Sequence, residues 1–331
     1  MEEGQKLIRY LEKLMPKASI SFLYKMLRKK NIKLNDKRAF GNEVLKDKDD
    51  IKIFFSDETF KKFENYLTKS SLEKQQLEKK IKSKEDILNS FYDSKVFDKL
   101  DILYEDEDIL VLNKPAGMLS QKSKRDDISI NELAIKYLLD EGKITVEKLK
   151  TFKPSVINRL DRNTSGIILF GKTMKGLKEG ARLLLDKSLK KSYICAVKGE
   201  YKRNDGILKG YLLKDDEHNK VKYFDHEING GKYMEEEVFK IFFSKKISIL
   251  KVILHTGRSH QIRCSLSAIG YPVAGDLKYG DKSFNKLFLK EGIKYQLLHS
   301  YEITYKNKII KAKLPNVFER IKNGDLEFQR S

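Results

Sequence analysis

The chain has 331 residues, 40% of them hydrophobic and 35% charged, enough apolar mass to bury a core in each of two domains and too much for wholesale disorder. Its 68 Lys and Arg against 48 Asp and Glu leave a formal charge of +20, which favours a polyanionic partner over the competing reading of a merely lysine-rich composition. No run approaches the ~18 apolar residues of a membrane span, the start Met1-Glu2-Glu3 has no apolar secretory segment, and Cys195 and Cys264 are too few for a disulfide scaffold and fit no zinc spacing, so a cytoplasmic chain with reduced, core-packed cysteines is expected.

Charge divides unevenly: +6 over residues 1–55, +1 over 56–99 and +13 over 100–331. In the first zone Leu7, Leu11 and Leu14 share a helical face that Pro16 closes. Ser21 is the expected N-cap of a second helix through Leu23, Met26 and Leu27, with Asn31 as its left-handed C-cap. Ile32-Lys33-Leu34 and Ile51-Lys52-Ile53 alternate like half-buried strands, and Asn35-Asp36 marks a turn. The basic helix end Arg28-Lys29-Lys30, running into a strand, makes a compact grip for nucleic acid; lysines that only solubilise a small surface domain are the competing reading. Residues 56–99 lack Pro and Gly and space Phe60, Phe63, Leu67, Leu77, Ile81, Leu88 and Phe91 helically among charges of alternating sign, which predicts a helical linker.

From residue 100 the texture is strand-rich. Ile102-Leu103-Tyr104 and Ile109–Leu112 flank the acidic turn Glu105–Asp108, and Val156-Ile157 and Ile167–Phe170 flank a polar loop. Tyr193–Val197, Ile247–Leu254 and Ile303–Tyr305 are further predicted strands, with helices near 130–140, 174–187 and 260–269. Strands and helices in mixed order predict an α+β fold around an antiparallel or mixed sheet.

Three motifs carry chemistry. Gly166–Thr173 fits the P-loop pattern literally, but Ile167-Ile168-Leu169-Phe170 is a strand run that cannot curl its amides around a phosphate, and the P-loop is rejected. In Asn158-Arg159-Leu160-Asp161-Arg162-Asn163-Thr164-Ser165-Gly166 a carboxylate lies between two arginines. Such charge holds Asp161 ionised, as suits a nucleophile or base, while Arg159 and Arg162 can grip phosphates; a surface ion pair beside a turn is the alternative. In His255–Leu266, Thr256 or Ser259 is expected to cap a helix starting near His260, with Arg263 one turn in. His255 and His260 have no third ligand at metal spacing, so no metal is assigned.

Together these motifs carry a resemblance. Asn113-Lys114-Pro115-Ala116-Gly117, Asn158–Gly166, Lys191-Ser192-Tyr193, Thr256–Arg263, Gly270–Asp276 and Leu298-His299-Ser300 occur in order, a series that resembles the RluA-type pseudouridine synthases over about 100–315. Met26–Arg38 with Leu45 and Asp49-Asp50-Ile51 resembles the S-four (αL) RNA-binding domain, with Lys48-Asp49 where members usually carry Gly-Asp. The departures in the larger motif set are Asn158 for His, Asn163 for Asp, and Ser120-Gln121 where many members carry a His-containing segment.

The resemblance implies an S-four-like domain over 1–55, a helical linker over 56–99, and a pseudouridine synthase catalytic domain over 100–331 with a mixed, mainly antiparallel sheet. It implies Asp161 as the essential carboxylate, acting on C1′ or on the 2′ proton, Arg263 as its partner, and Tyr193 stacked on a flipped uracil. Arg159 contacts the backbone or fills the gap left by the base. Arg162, Arg28, Lys29 and Lys30 bind substrate RNA, and no cofactor or metal is needed. The implied partner is large-subunit ribosomal RNA or a ribosome assembly intermediate, met by a monomer. A synthase acting on transfer RNA and a non-catalytic RNA-binding or ribosome-associated factor are the alternatives.

Overall fold

Local capping chemistry decides the first elements. The computed structural model describes residues 4–55, 100–124, 127, 129–215 and 220–326; the predicted linker 56–99 lies outside the described residues. Helix α1 (Leu7–Leu14) buries Leu7, Ile8 and Leu11, whereas Leu14 is 41% exposed, so Ile8 takes the place expected for Leu14. Helix α2 (Ile20–Arg28) is capped by Ser19, whose hydroxyl accepts from the Phe22 amide; the expected cap, Ser21, lies inside the first turn. At its end the left-handed residue is Lys30, not Asn31, because the Lys30 and Asn31 amides turn back to the Leu27 and Met26 carbonyls as in a Schellman cap.

Strands β1 (Ile32–Leu34), β2 (Lys37–Arg38) and β3 (Ile51–Ile53) form a sheet in the order β2-β1-β3. Asn35 and Asp36 both have positive φ and join β1 to β2 as a two-residue hairpin turn. One face of this sheet packs on α1 and α2 around Leu7, Leu11, Leu23, Leu27 and Ile32.

The remaining strands are β4 (Ile102–Glu105), β5 (Ile109–Lys114), β6 (Ser155–Val156), β7 (Ser165–Gly171), β8 (Lys191–Lys198), β9 (Gly206–Asp215), β10 (Lys220–Phe224), β11 (Lys232–Phe243), β12 (Ile247–Leu254), β13 (Leu298–Tyr305) and β14 (Lys308–Lys311). Among the described residues they make an eleven-stranded sheet with the path β10-β9-β11-β12-β8-β13-β7-β5-β4, to which β14 adds on β13 and β6 on β7. Its pairings are antiparallel except β13 with β7. The fold is α+β on a mixed, mainly antiparallel sheet, as expected.

Both faces of the central strands are covered, which is why they read as continuous apolar runs rather than alternating ones. Leu110, Leu112, Ile168, Phe170, Cys195 and Val252 face a core with helix α3 (Ile130–Asp140) and helix α6 (Gln261–Ala268). Ile109, Val111, Ile167 and Leu169 face the opposite side toward helix α5 (Met174–Leu185). Ile194, Ala196 and Ile249 pack there with helix α7 (Lys282–Lys290) and helix α8 (Val317–Asn323). Helix α4 (Val146–Thr151) precedes β6. Both cysteines are buried, and burial pushes the Cys264 thiol up to about 11, which leaves them packing residues. No helix of the described residues is long and apolar enough to cross a membrane.

Gly166 holds the parallel seam. Its φ is +104°, and a Cβ there would lie 2.2 Å from the Ser300 carbonyl oxygen. Gly166→Ala is therefore expected to cost about 2–5 kcal/mol in a urea titration. Gly142→Ala, at φ +63° with nothing within 4 Å, should cost only about 1 kcal/mol from the left-handed backbone.

Candidate active site

The loop between β6 and β7 is tied down from below at every other residue. The Asn158 side chain accepts from the Leu169 amide at 2.7 Å. Ser120 Oγ both accepts from the Leu160 amide, at 2.9 Å, and donates to the Leu160 carbonyl, at 2.8 Å. Gln296 donates to Thr164 Oγ1 at 2.7 Å. Between these anchors Asp161 turns outward, its side chain 30% exposed, and its carbonyl accepts from the Thr164 amide to close the turn.

A buried lysine fastens this loop to the preceding one. Lys114, fully buried at the end of β5, donates to the carbonyls of Pro115, Met118 and Arg162 at 2.9, 2.8 and 3.1 Å. Burial lowers its pKa to about 7, against the pull of the Asp161 charge. Arg162 completes the stitch, donating from Nε to the Gly117 carbonyl at 3.0 Å while staying exposed.

Arg263, in the first turn of α6, reaches Asp161 from the other side. Its Nη1 donates to Asp161 Oδ2 at 2.6 Å, and its Nε and Nη2 donate to Asp276 at 2.6 and 2.9 Å in a bidentate pair. Asp276 is fully buried and also accepts the Lys278 and Tyr279 amides. Burial works to raise Asp276, but the guanidinium overrides it and leaves the carboxyl below its ordinary value. A fork fixed on a buried carboxylate has one nitrogen left to aim, and it aims at Asp161.

His260 stands at the helix start in a left-handed conformation with no side-chain cap bond. The loop instead closes on Gln261, whose Oε1 accepts from Thr256 Oγ1 and the Arg258 amide; the expected caps Thr256 and Ser259 do not act as such. The His260 ring contacts Tyr279 OH at 2.8 Å and lies 3.9 Å from Asp161 Oδ1, and burial lowers its pKa. Beneath α6 the buried Glu236 accepts from Ser265 Oγ and Gln261 Nε2, and burial pushes it up to about 7.

Tyr193 on β8 is buried, and burial raises its hydroxyl to about 12 while Ser300 hydrogen-bonds it. It lines, with Asp161, Arg159, Arg162 and Arg263, an open cleft of about 1600 Å³. Among the described residues the cleft walls carry ten Lys and Arg against the carboxylates of Asp161 and Glu237, a balance that suits a polyanion.

Five of the residues singled out from the sequence thus meet in one cleft. Arg28, Lys29 and Lys30 do not line it; they end α2 in the first unit. Asp276 and Lys114 lie in the motifs Gly270–Asp276 and Asn113–Gly117, where the sequence alone assigns them no part, and the sequence assigns His260 none as a metal ligand. Their link to Asp161 is a matter of contact across more than 40 positions of sequence. The rejected P-loop, Gly166–Thr173, is the buried strand β7 and the turn after it.

The profile of the RNA pseudouridylate synthase family matches residues 108–268. An uncharacterized RNA pseudouridine synthase of Mycoplasma genitalium is 28% identical over 325 residues, 95% of this chain and 89% of that one. Ribosomal large subunit pseudouridine synthase D of Borreliella burgdorferi is 34% identical over 206 residues, 61% of this chain and 60% of that protein. Among solved structures, human RNA pseudouridylate synthase domain containing 4 shares the fold, with a TM-score of 0.54 at 18% identity over 66% of this chain and 90% of that one.

Removing the buried anchor should hurt more than removing the exposed one. Asp276→Asn leaves the Arg263 charge without its enclosed partner and is expected to cost about 3–5 kcal/mol of stability. Asp161→Asn removes a carboxylate that solvent already screens and should cost about 1 kcal/mol or less. Urea denaturation of the two variants checks the order.

Proposed function

We propose that the chain is a member of the RNA pseudouridylate synthase family, in its RluA-type branch, and that it isomerises specific uridines of large-subunit ribosomal RNA with Asp161 as the essential carboxylate. The observation that carries this reading is a partly exposed carboxylate held at 2.6 Å by a guanidinium that is itself clamped on buried Asp276, inside a cation-lined cleft.

The reaction breaks the bond from N1 to C1′, turns the uracil, and rejoins it through carbon 5, whose proton is released. A stacked base hides C1′ and the 2′ position, so the nucleotide flips into the cleft at a cost of a few kcal/mol. Asp161 then attacks C1′ or takes the 2′ proton; both routes use an ionised, aimed carboxylate, which is what Arg263 supports. Tyr193 offers a ring against the uracil. Since burial raises its hydroxyl to about 12, it relays the carbon 5 proton, taking it up as its own proton leaves to solvent through the cleft, rather than accepting it as a standing phenolate. Arg159 is exposed at the cleft and takes the backbone or the gap left by the base, while Arg162 faces a phosphate.

The first unit supplies a second hold on the RNA in this reading. Residues 4–55 act as an S-four-like domain whose α2 end, Arg28-Lys29-Lys30, meets phosphates. The relative from Borreliella burgdorferi carries the large-subunit name, which supports ribosomal over transfer RNA as substrate.

Asp161→Asn is nearly isosteric and should keep fold and RNA binding while pseudouridine formation vanishes. Wild type and variant are incubated with large-subunit ribosomal RNA, and carbodiimide-dependent primer-extension stops are scored; conversion by the variant at a comparable rate overturns the assignment. Tyr193→Phe keeps the stacking face, so substrate affinity should hold while turnover falls about 100-fold or more if the hydroxyl relays the proton. Unchanged turnover in single-turnover kinetics assigns Tyr193 to stacking alone.

A further inference from the structure

The three-stranded sheet has one covered face and one open face, and the open face is not a random surface. Ile32, Ile51 and Ile53 point into the core with α1 and α2. On the other side the register sets Lys33 directly opposite Arg38 on β2 and Lys52 on β3, a row of three cations. Lys52 is neutralised by Asp36 at 2.8 Å and Asp50 at 3.5 Å. Lys33 and Arg38 instead lean over aromatic rings, Lys33 Nζ 5.4 Å from the Phe54 centroid and Arg38 Cζ 5.0 Å from that of Phe40.

Both rings stand in solvent, Phe40 58% and Phe54 53% exposed. Neither sits on loose chain. The Phe54 amide donates to the Asn31 carbonyl at 2.7 Å, and the Phe40 and Gly41 amides donate to the Glu43 carboxylate at 2.6 and 2.7 Å. Each lies two residues beyond its strand's member of the cation row, and Phe54 is bonded to Asn31, directly after the Arg28-Lys29-Lys30 run. Two held, half-bare rings, each with a cation beside it, in a unit whose residues 4–55 carry 14 Lys and Arg against six Asp and Glu, match the aromatic-plus-cation pattern on which successive bases stack.

We propose that this sheet face is a stacking platform for unpaired bases of RNA, with Phe40 and Phe54 each taking a base and Lys33 and Arg38 the adjoining phosphates. The inference rests on the RNA-modifying reading above and narrows it: the first unit holds single-stranded or loop RNA. A duplex keeps its bases stacked inside and has none to offer a phenyl ring.

The test uses the full chain, a short oligoadenylate (which brings no uridine to the catalytic cleft) and a short, fully paired RNA duplex, with affinities read by fluorescence anisotropy over a salt series. Phe40→Leu/Phe54→Leu keeps the apolar bulk and removes the ring faces. It should weaken oligoadenylate binding about tenfold or more, leave duplex binding and the salt slope unchanged, and be restored by Phe40→Trp/Phe54→Trp. Arg28→Gln/Lys29→Gln should instead lower affinity for both probes and flatten the salt slope. Oligoadenylate affinity within twofold of wild type in the Leu variant, an equal loss for both probes, or failure of the Trp variant to restore binding overturns the platform. A wild-type chain that makes no pseudouridine overturns the synthase reading instead, and that measurement is independent of these affinities.

Discussion

One guanidinium organises the cleft of this protein. Arg263 is almost fully buried, and a buried cation is tolerable only when enclosed carboxylates answer it. Asp276 does so with both oxygens, and Asp161 takes the remaining nitrogen. The division matters because the two carboxylates differ in exposure. The enclosed Asp276 is purely an anchor, while the outward Asp161 keeps an oxygen free toward the cleft. Everything that orients Arg263 therefore orients Asp161. That includes the loop bonds of Gln261 and, beneath the helix, the Glu236 carboxylate that accepts from Ser265 and Gln261.

The other side of Asp161 is set by a seam between chain segments far apart in sequence. Lys114 gathers three carbonyls from two loops, and Gly166 lets β7 lie against β13 where any side chain would strike the Ser300 carbonyl. The same seam carries Tyr193, which is the register partner of Ser300. A carboxylate on a loop and an aromatic ring on a strand thus face one cleft because a glycine and a lysine close the gap behind them. Rigidity here follows from satisfied polar groups, each of which would be costly to leave unpaired.

Charge is distributed by a similar logic. Among the described residues no carboxylate pairs with Arg159 or Arg162 in the cleft, whereas Glu105 at the β4–β5 turn takes both Lys143 and Lys172 and is held at about 2, well below the ordinary carboxylate range. The net charge of the chain is therefore a poor guide to where a polyanion binds. Unanswered cations beside open apolar or aromatic surface are the better one, and they occur in the cleft and on the outer face of the N-terminal sheet.

The sequence by itself determined the fold class, most of the central strands, and residues that the fold gathers in one cleft. Ile109–Leu112, Ile167–Phe170 and Ile247–Leu254 are apolar enough to demand burial, and Asp161, Tyr193 and Arg263 sit in motifs dense with chemistry. The strands β9, β10 and β11 were not legible: β11 carries Glu235-Glu236-Glu237, and Gly206, Gly210, Gly230 and Gly231 interrupt the pattern. Pairing with β12 and packing under α6 overrule those weak propensities. Cap positions shifted by one or two residues, to Ser19 and Lys30, because hydrogen-bond geometry at a helix end is decided by backbone closure rather than by residue type. What only the tertiary structure decided is which group answers which: that Asp276 anchors Arg263, that Lys114 fastens the Asp161 loop, and that His260 faces Asp161. These are contacts between distant segments, and the free energy that selects them arises only when burial strips the water from both partners.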